Sequence, residues 1–181
     1  MNRIGIRKED EHKRFERRAP LTPAQVQLLR SQFPGASFVV EPSQNRGYIY
    51  ERAFDDAEYE QAGVIIGGLD ATDVILGIKE VPINQILPGR VYVCFSHTYK
   101  GQAHNMPMLR KLAALGCTLI DYELIVEDVD DGQYQIDQCR REVFFGHFAG
   151  YAGAINSLFA LGQRLKCEGI ENPFALMKQA I

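Results

Sequence analysis

Two short apolar runs do most to limit what this chain can become. Residues 74–78 read VILGI and residues 91–95 read VYVCF. Both are short for a helix and rich in β-branched or aromatic residues, so they read as buried strands. Each ends in side chains that carry charge or protons. The first meets Lys79-Glu80, and the second meets Ser96-His97-Thr98-Tyr99-Lys100. Helical patterns lie around them. Thr22 and Pro23 open one as N-cap and first residue, with Val26, Leu28, Leu29 and Phe33 as its apolar side. A second covers 54–62, begun by Asp55 and Asp56 and ended by Gly63, and a third covers 103–115 and stops at Gly116. Further strands are expected at 3–7, 37–41, 64–66 and 117–120. This alternation predicts an α/β fold of the Rossmann-like or flavodoxin-like kind: a mainly parallel sheet with helices on both faces. Ligands of such sheets gather outside the carboxyl ends of the strands, where Lys79 and His97 stand.

Residues 1–143 are expected to form this α/β domain. Within it, 124–143 reads as a hairpin-like excursion with an acidic turn at Asp130-Asp131-Gly132. A long helix is expected over 145–166. The apolar run 143–161 holds His147, Asn156 and Ser157 and is followed by Gln163, Arg164 and Lys166, so a membrane span is not expected. Gly146, Ala149, Gly150, Gly153 and Ala154 recur on it at helical spacing. That pattern predicts a buried helix packed closely against another element. Residues 144–181 are thus expected to be a long C-terminal interdomain helix and the start of a further domain.

A length of 181 residues suffices for one domain with a real core. The net charge of −3 gives no general basic footprint for nucleic acid, and the charged stretch from Arg7 to Arg18 mixes both signs, as a solvated loop does. The four cysteines form no C-x-x-C pair and no zinc-like spacing, so no metal site is expected. Cys94 and Cys117 sit in apolar strand patterns and read as buried free thiols. A reducing, cytoplasmic setting is expected, and no signal or transit peptide pattern stands before the first strand.

The ionisable residues admit more than one reading. Lys79 at the rim of an apolar strand suits a general base or a carboxylate binder, or it is an exposed lysine paired with Glu80. His97 is either a proton shuttle or a satisfied loop histidine. Lys100 either holds an anionic substrate or simply decorates a helix start, where a cation is electrostatically unfavourable, which leans toward the first. Arg17 and Arg18 suit a carboxylate ligand, or they are exposed arginines of a charged loop, the more common case. Glu123, after Asp121-Tyr122, can orient a lysine or bind an amine. His12 and His104 read as surface residues, and His147 as interfacial or core. No G-x-G-x-x-G, P-loop or G-x-S-x-G occurs, so there is no recognisable cofactor cradle.

Six stretches carry a family resemblance: FERRAPLTP (15–23), EPSQNRGY (41–48), VILGIKEVP (74–82), CFSHTYKGQAHNMPML (94–109), LIDYELI (119–125) and FFGHFAGYAG (144–153). In this order they resemble the N-terminal, alanine dehydrogenase/transhydrogenase-type domain of lysine–2-oxoglutarate reductases, the lysine-forming saccharopine dehydrogenases. The resemblance covers nearly the whole chain. It implies an enzyme that interconverts saccharopine with lysine and 2-oxoglutarate, with NAD or NADP carrying hydride. It implies Lys79 and His97 as the proton-transfer pair and Arg18 as the contact to a substrate carboxylate, with Glu80, Lys100 and Glu123 lining the same site. It also implies a dinucleotide-binding domain after the long helix. The pattern here ends near Ile181, about where that domain would begin, so hydride transfer by this chain alone is not expected. The partner would be a separate cofactor domain or a second copy of the chain. The acidic excursion, Phe144 and His147 depart from the family pattern. Two other readings share the fold: a non-catalytic binding or regulatory module, and an alanine dehydrogenase or transhydrogenase-type domain.

Overall fold

Six strands build one sheet: β1 (Asn2–Ile6), β2 (Ala36–Val40), β3 (Ile65–Ile66), β4 (Val74–Leu76), β5 (Val91–Cys94) and β6 (Thr118–Asp121). All neighbours pair in parallel, in the order β3-β2-β1-β4-β5-β6. The computed structural model describes residues 2–10, 13, 16–43, 52–127 and 140–179. The chain divides into two compact units, Met1–Glu142 and Val143–Ile181, and the sheet lies in the first. Helices α1 (Pro23–Gln32), α2 (Asp56–Gln61) and α3 (Met106–Ala114) connect the strands. The sheet is the parallel, Rossmann-like one that the strand–helix alternation predicts.

Register shows why helices cover both faces. Gly5 pairs with Ile75, and Ile6 pairs with Leu76. Side chains alternate along a strand, so Ile6 and Ile75 face opposite ways. Ile6, Phe38 and Val40 pack with Val26 of α1 and Tyr59 of α2. Ile75 and Tyr92 pack on the other face with Met108 and Leu112 of α3. Because strands covered on both sides need little polar alternation, the short runs at 74–78 and 91–95 are nearly continuously apolar.

The helix ends follow their expected chemistry. Thr22 accepts from the Gln25 N–H while the Gln25 side chain accepts from the Thr22 N–H, a reciprocal cap on α1. Asp55 and Glu58 do the same for α2. Gly63 and Gly116 close α2 and α3 at φ +76° and +64°, the left-handed region that favours glycine.

Chain direction around the sheet reverses between β1 and β4. The carboxyl ends of these two strands therefore open a crevice at the switch point. At 125–127 and 140–142 the chain forms the stem of the expected excursion: Val126 bridges Arg141 in antiparallel fashion, and the Glu127 N–H bonds the Arg140 carbonyl. The acidic turn at 130–132, Cys139, His12 and much of the 41–48 stretch lie outside the described residues.

The second unit contains α4 (Gly146–Cys167) and a short 3-10 turn, Pro173–Leu176, that folds back on it. Gly146, Gly150 and Gly153 are exposed, and α4 displays Phe148 and Tyr151 at 72% and 67% exposure. Close packing falls instead on Gly162, where an added Cβ would collide with the backbone of Phe174 and Ala175. Helical spacing of small residues permits close approach but does not require it. Among the described residues no helix is long and apolar enough to cross a membrane.

Candidate active site

The carboxyl edge is organised by the segment that leaves β1. Arg7 continues the strand through an N–H bond to the Leu76 carbonyl, and its side chain is buried. The chain then runs along the strand ends of β4. The Glu9 carboxylate accepts from the N–H groups of Ile78 and Lys79, at 2.8 and 3.0 Å, and lies 3.7 Å from Arg7 Nη1. Burial raises its carboxyl above the usual range, against the opposing charge of Arg7. Lys13 Nζ reaches Glu80 Oε1. Glu16 accepts from Arg18 Nε at 2.7 Å and Nη2 at 2.5 Å, a two-point guanidinium–carboxylate pair. Burial opposes ionisation of Glu16, but the Arg18 bonds and charge, helped by the charge of Lys79, hold its carboxyl below the usual range.

Lys79 and His97 leave adjacent strands. The Phe95 N–H bonds the Ile78 carbonyl at 3.0 Å, which extends the β4–β5 pairing to the positions just before them. Both side chains are partly buried at the sheet edge, and neither lies in a closed apolar interior. The charge of Lys79 acts on Glu16, and that of His97 acts on Glu80. Burial works against the Glu80 carboxylate, yet its bond from Lys13 and the charges of Lys13 and His97 lower its carboxyl below the usual range.

His97 feels two carboxylates, Glu123 beside it and Glu80 on the neighbouring strand end. Its Nδ1 is 3.8 Å from Glu123 Oε2, and its ring stacks on Phe95 with centroids 6.4 Å apart. Glu123 Oε1 takes Arg141 Nη1 at 3.2 Å. The remaining oxygen of each carboxylate, Glu80 Oε2 and Glu123 Oε2, is buried without a hydrogen-bond partner among the described residues. An unpaired buried carboxylate oxygen is costly, so these two oxygens are poised to accept from a cationic donor.

Of the residues singled out from the sequence, Lys79, Glu80, His97 and Glu123 share this edge. Arg18 is held by Glu16 at the same edge and is exposed. Lys100 is exposed beyond the His97 turn, where its backbone N–H bonds Gln102 Oε1 at 3.2 Å. Sequence reasoning missed Glu9, Lys13, Glu16, Asp121 and Arg141. The first three lie in the mixed-charge stretch read as a solvated loop. Their mixture of both signs was the available signal, since such a run can also pair along a sheet edge. The buried thiol reading holds for Cys94, whose pKa burial pushes up to about 12, whereas Cys117 is only half-buried.

This geometry agrees with comparison to known proteins. A family model described as alanine dehydrogenase/PNT, N-terminal domain, matches residues 5–136. The chain belongs to this family. It is 39% identical over 176 residues to alpha-aminoadipic semialdehyde synthase of Arabidopsis thaliana, covering 94% of this chain and 15% of that protein. The mitochondrial alpha-aminoadipic semialdehyde synthase of Bos taurus is 37% identical, over 94% of this chain and 17% of its own length. Saccharopine dehydrogenase [NAD(+), L-lysine-forming] of Neurospora crassa is 32% identical over 86% of this chain and 38% of its own length. This alanine dehydrogenase/PNT N-terminal domain therefore spans well under half of each relative. The resemblance carried by its motifs is the relationship found. These relationships make it an oxidoreductase-family domain.

Proposed function

We propose that this domain binds the substrates and moves the protons in an NAD(P)-dependent interconversion of saccharopine with lysine and 2-oxoglutarate. The observation that carries the reading is two buried oxygens, Glu80 Oε2 and Glu123 Oε2, that lack a hydrogen-bond donor among the described residues and lie within the electrostatic reach of His97. These substrates bear both amines and carboxylates, and a site for them needs anionic acceptors and cations at close quarters. Glu80 and Glu123 supply the first, and Lys79, Arg18 and Lys100 the second. Joining an amine to a keto acid expels water, and the reverse reaction adds it. Each direction takes a proton from one nitrogen or oxygen and gives one to another. A lysine and a histidine on neighbouring strand ends suit these transfers, His97 with its ring oriented by Phe95 and Glu123. Lys79 serves as its partner in the proton exchange.

The described residues do not fit a dinucleotide. β1 runs into a charged segment and not into a glycine-rich turn that opens a helix. No hydride step is assigned to this chain, and NAD or NADP is proposed to be bound elsewhere in the complete enzyme. The free thiols of Cys94, Cys117 and Cys167 accord with a reducing, cytoplasmic setting.

The test is a calorimetric titration of the chain with L-lysine, saccharopine, 2-oxoglutarate and L-alanine. Saccharopine or lysine should bind more tightly than alanine. Tightest binding of alanine would move the chain to the alanine dehydrogenase side of its family, and no binding of any of the four would remove the reading.

A further inference from the structure

The turn that presents His97 is an unusual piece of backbone. His97 sits at φ +50°, the only non-glycine residue of positive φ among those described. A side chain is strained there, so the surrounding bonds must hold it. Those bonds converge on Ser96, which is fully buried. Its carbonyl accepts from Asn105 Nδ2 at 2.9 Å, and its Oγ accepts from the Thr98 N–H at 3.1 Å. The same Oγ pairs with Thr98 Oγ1 at 2.7 Å and donates to Asp121 Oδ2.

Asp121 is itself buried, at the end of β6, and its second oxygen has a different task. Oδ1 accepts from the Glu123 N–H at 2.9 Å. One carboxylate thus grips the turn after β5 with one oxygen and the turn after β6 with the other. These two turns carry His97 and Glu123, whose side chains stand 3.8 Å apart. A carboxylate takes a donor on each oxygen at once, whereas an apolar residue takes none. Burying a charged group is costly, and hydrophobic residues would fill the same space without that cost.

We propose that Asp121 is a positioning residue that sets the spacing and orientation of His97 and Glu123, acting on His97 through Ser96. The proposal rests on the reading of His97 and Glu123 as part of the substrate site, but its geometric half can be tested without that reading. Asp121 touches no substrate in this scheme. Its effect is to remove the freedom of the His97 turn and of the Glu123 turn to move independently.

Amide hydrogen exchange and histidine side-chain NMR on the 181-residue chain test this. Three variants are compared with wild type: Asp121→Ala, Asp121→Asn and Ser96→Ala. Asp121→Ala should speed exchange at both Thr98 and Glu123 by about tenfold, the effect of losing one ordinary hydrogen bond, with Val40 in β2 unchanged. Ser96→Ala should speed Thr98 but leave Glu123 protected. Asp121→Asn can still accept from Glu123 and can donate to Ser96 Oγ, whose proton turns to Thr98, so it should keep both amides slow. In the same samples L-lysine is titrated while the His97 imidazole signals are followed. Half-saturation should rise about tenfold in Asp121→Ala and in Ser96→Ala and return toward wild type in Asp121→Asn. A purely structural residue would move the exchange rates without this pattern of loss and rescue at His97. Unchanged Thr98 exchange in Asp121→Ala, or Glu123 loosened as much as Thr98 in Ser96→Ala, overturns the proposal. Should Asp121→Ala quicken Val40 as much as Thr98, that variant has unfolded and the other two decide by the same criteria. Failure of the wild-type chain to bind lysine would sink the functional reading alone, leaving the exchange result to judge the positioning role.

Discussion

Replacing Glu80 by glutamine separates two things a carboxylate does at this edge. Glu80 Oε1 holds the Lys13 ammonium, while Oε2 is buried and unpartnered among the described residues. The Lys13 side chain is 37% exposed, so water screens that pair and its loss should lower folding stability by at most about 1 kcal/mol. The unpartnered oxygen has no such substitute. If it receives a substrate ammonium, the lost charge-assisted bond is worth about 1.5–3 kcal/mol. At about 1.4 kcal/mol per tenfold, that is roughly a 10- to 100-fold weaker dissociation constant for lysine. The loss should be selective. 2-Oxoglutarate has no ammonium, so its affinity should hold or improve once a negative charge has gone. Glu123→Gln should repeat the pattern, because its Oε2 also lacks a hydrogen-bond donor among the described residues while Oε1 keeps Arg141. Calorimetry of both variants with both ligands, beside urea unfolding, makes the comparison. Unaltered lysine affinity, or equal loss for lysine and 2-oxoglutarate, would refute the assignment of these oxygens to a cation.

Other outcomes follow from the same contacts. Tyr92 is buried in β5 and its hydroxyl accepts from the Leu87 N–H at 2.7 Å, so Tyr92→Phe strands a buried donor and should cost about 1–3 kcal/mol in urea unfolding. On α4, Gly150 has open space where a Cβ would go, so Gly150→Ala should stabilise the helix by about 0.5–1 kcal/mol in thermal melting. Gly162→Ala should instead destabilise and free the Ala175 amide to exchange, since its Cβ meets backbone. For Glu16, whose folded carboxyl is lowered from the ordinary 4.5, the stabilisation is present above that value and lost as pH falls through the lower folded one. The stability gap between wild type and Glu16→Gln should therefore be largest near neutral pH and close in acid. Glu9 has the opposite sign: burial raises its carboxyl, so its ionisation costs stability above the ordinary value, and the cost vanishes in acid. Urea midpoints across pH check both signs.

Much of this fold could be read from local chemistry. Val74–Leu76 and Val91–Cys94 are strands because β-branched and aromatic residues suit a sheet covered on both faces. The helix bounds follow from Thr22, Asp55, Gly63 and Gly116, whose capping roles depend on a few neighbouring residues. Strand-end placement made Lys79, Glu80, His97 and Glu123 visible as candidates, since side chains just past an apolar run must emerge at the sheet edge. The stretch holding Glu9, Lys13 and Glu16 was misread because solvated and paired charges have the same composition. Only partners 67 to 70 residues away distinguish Glu9 and Lys13. Lys13 finds Glu80, and Glu9 finds the peptide of Lys79. The glycines of α4 are limited in the same way, because periodicity states which face is small but not what lies against it.

Sequence alone thus determined the elements, their alternation and the edge at which chemistry would gather, because these depend on propensities and periods acting over a few residues. Tertiary structure decided which charges are partnered and which are not. Among the described residues it left Glu80 and Glu123 each with one carboxylate oxygen lacking a hydrogen-bond donor, and it tied the His97 and Glu123 turns through Asp121. Those facts depend on distances between strands that are far apart in the chain, and no local pattern encodes a distance across a sheet.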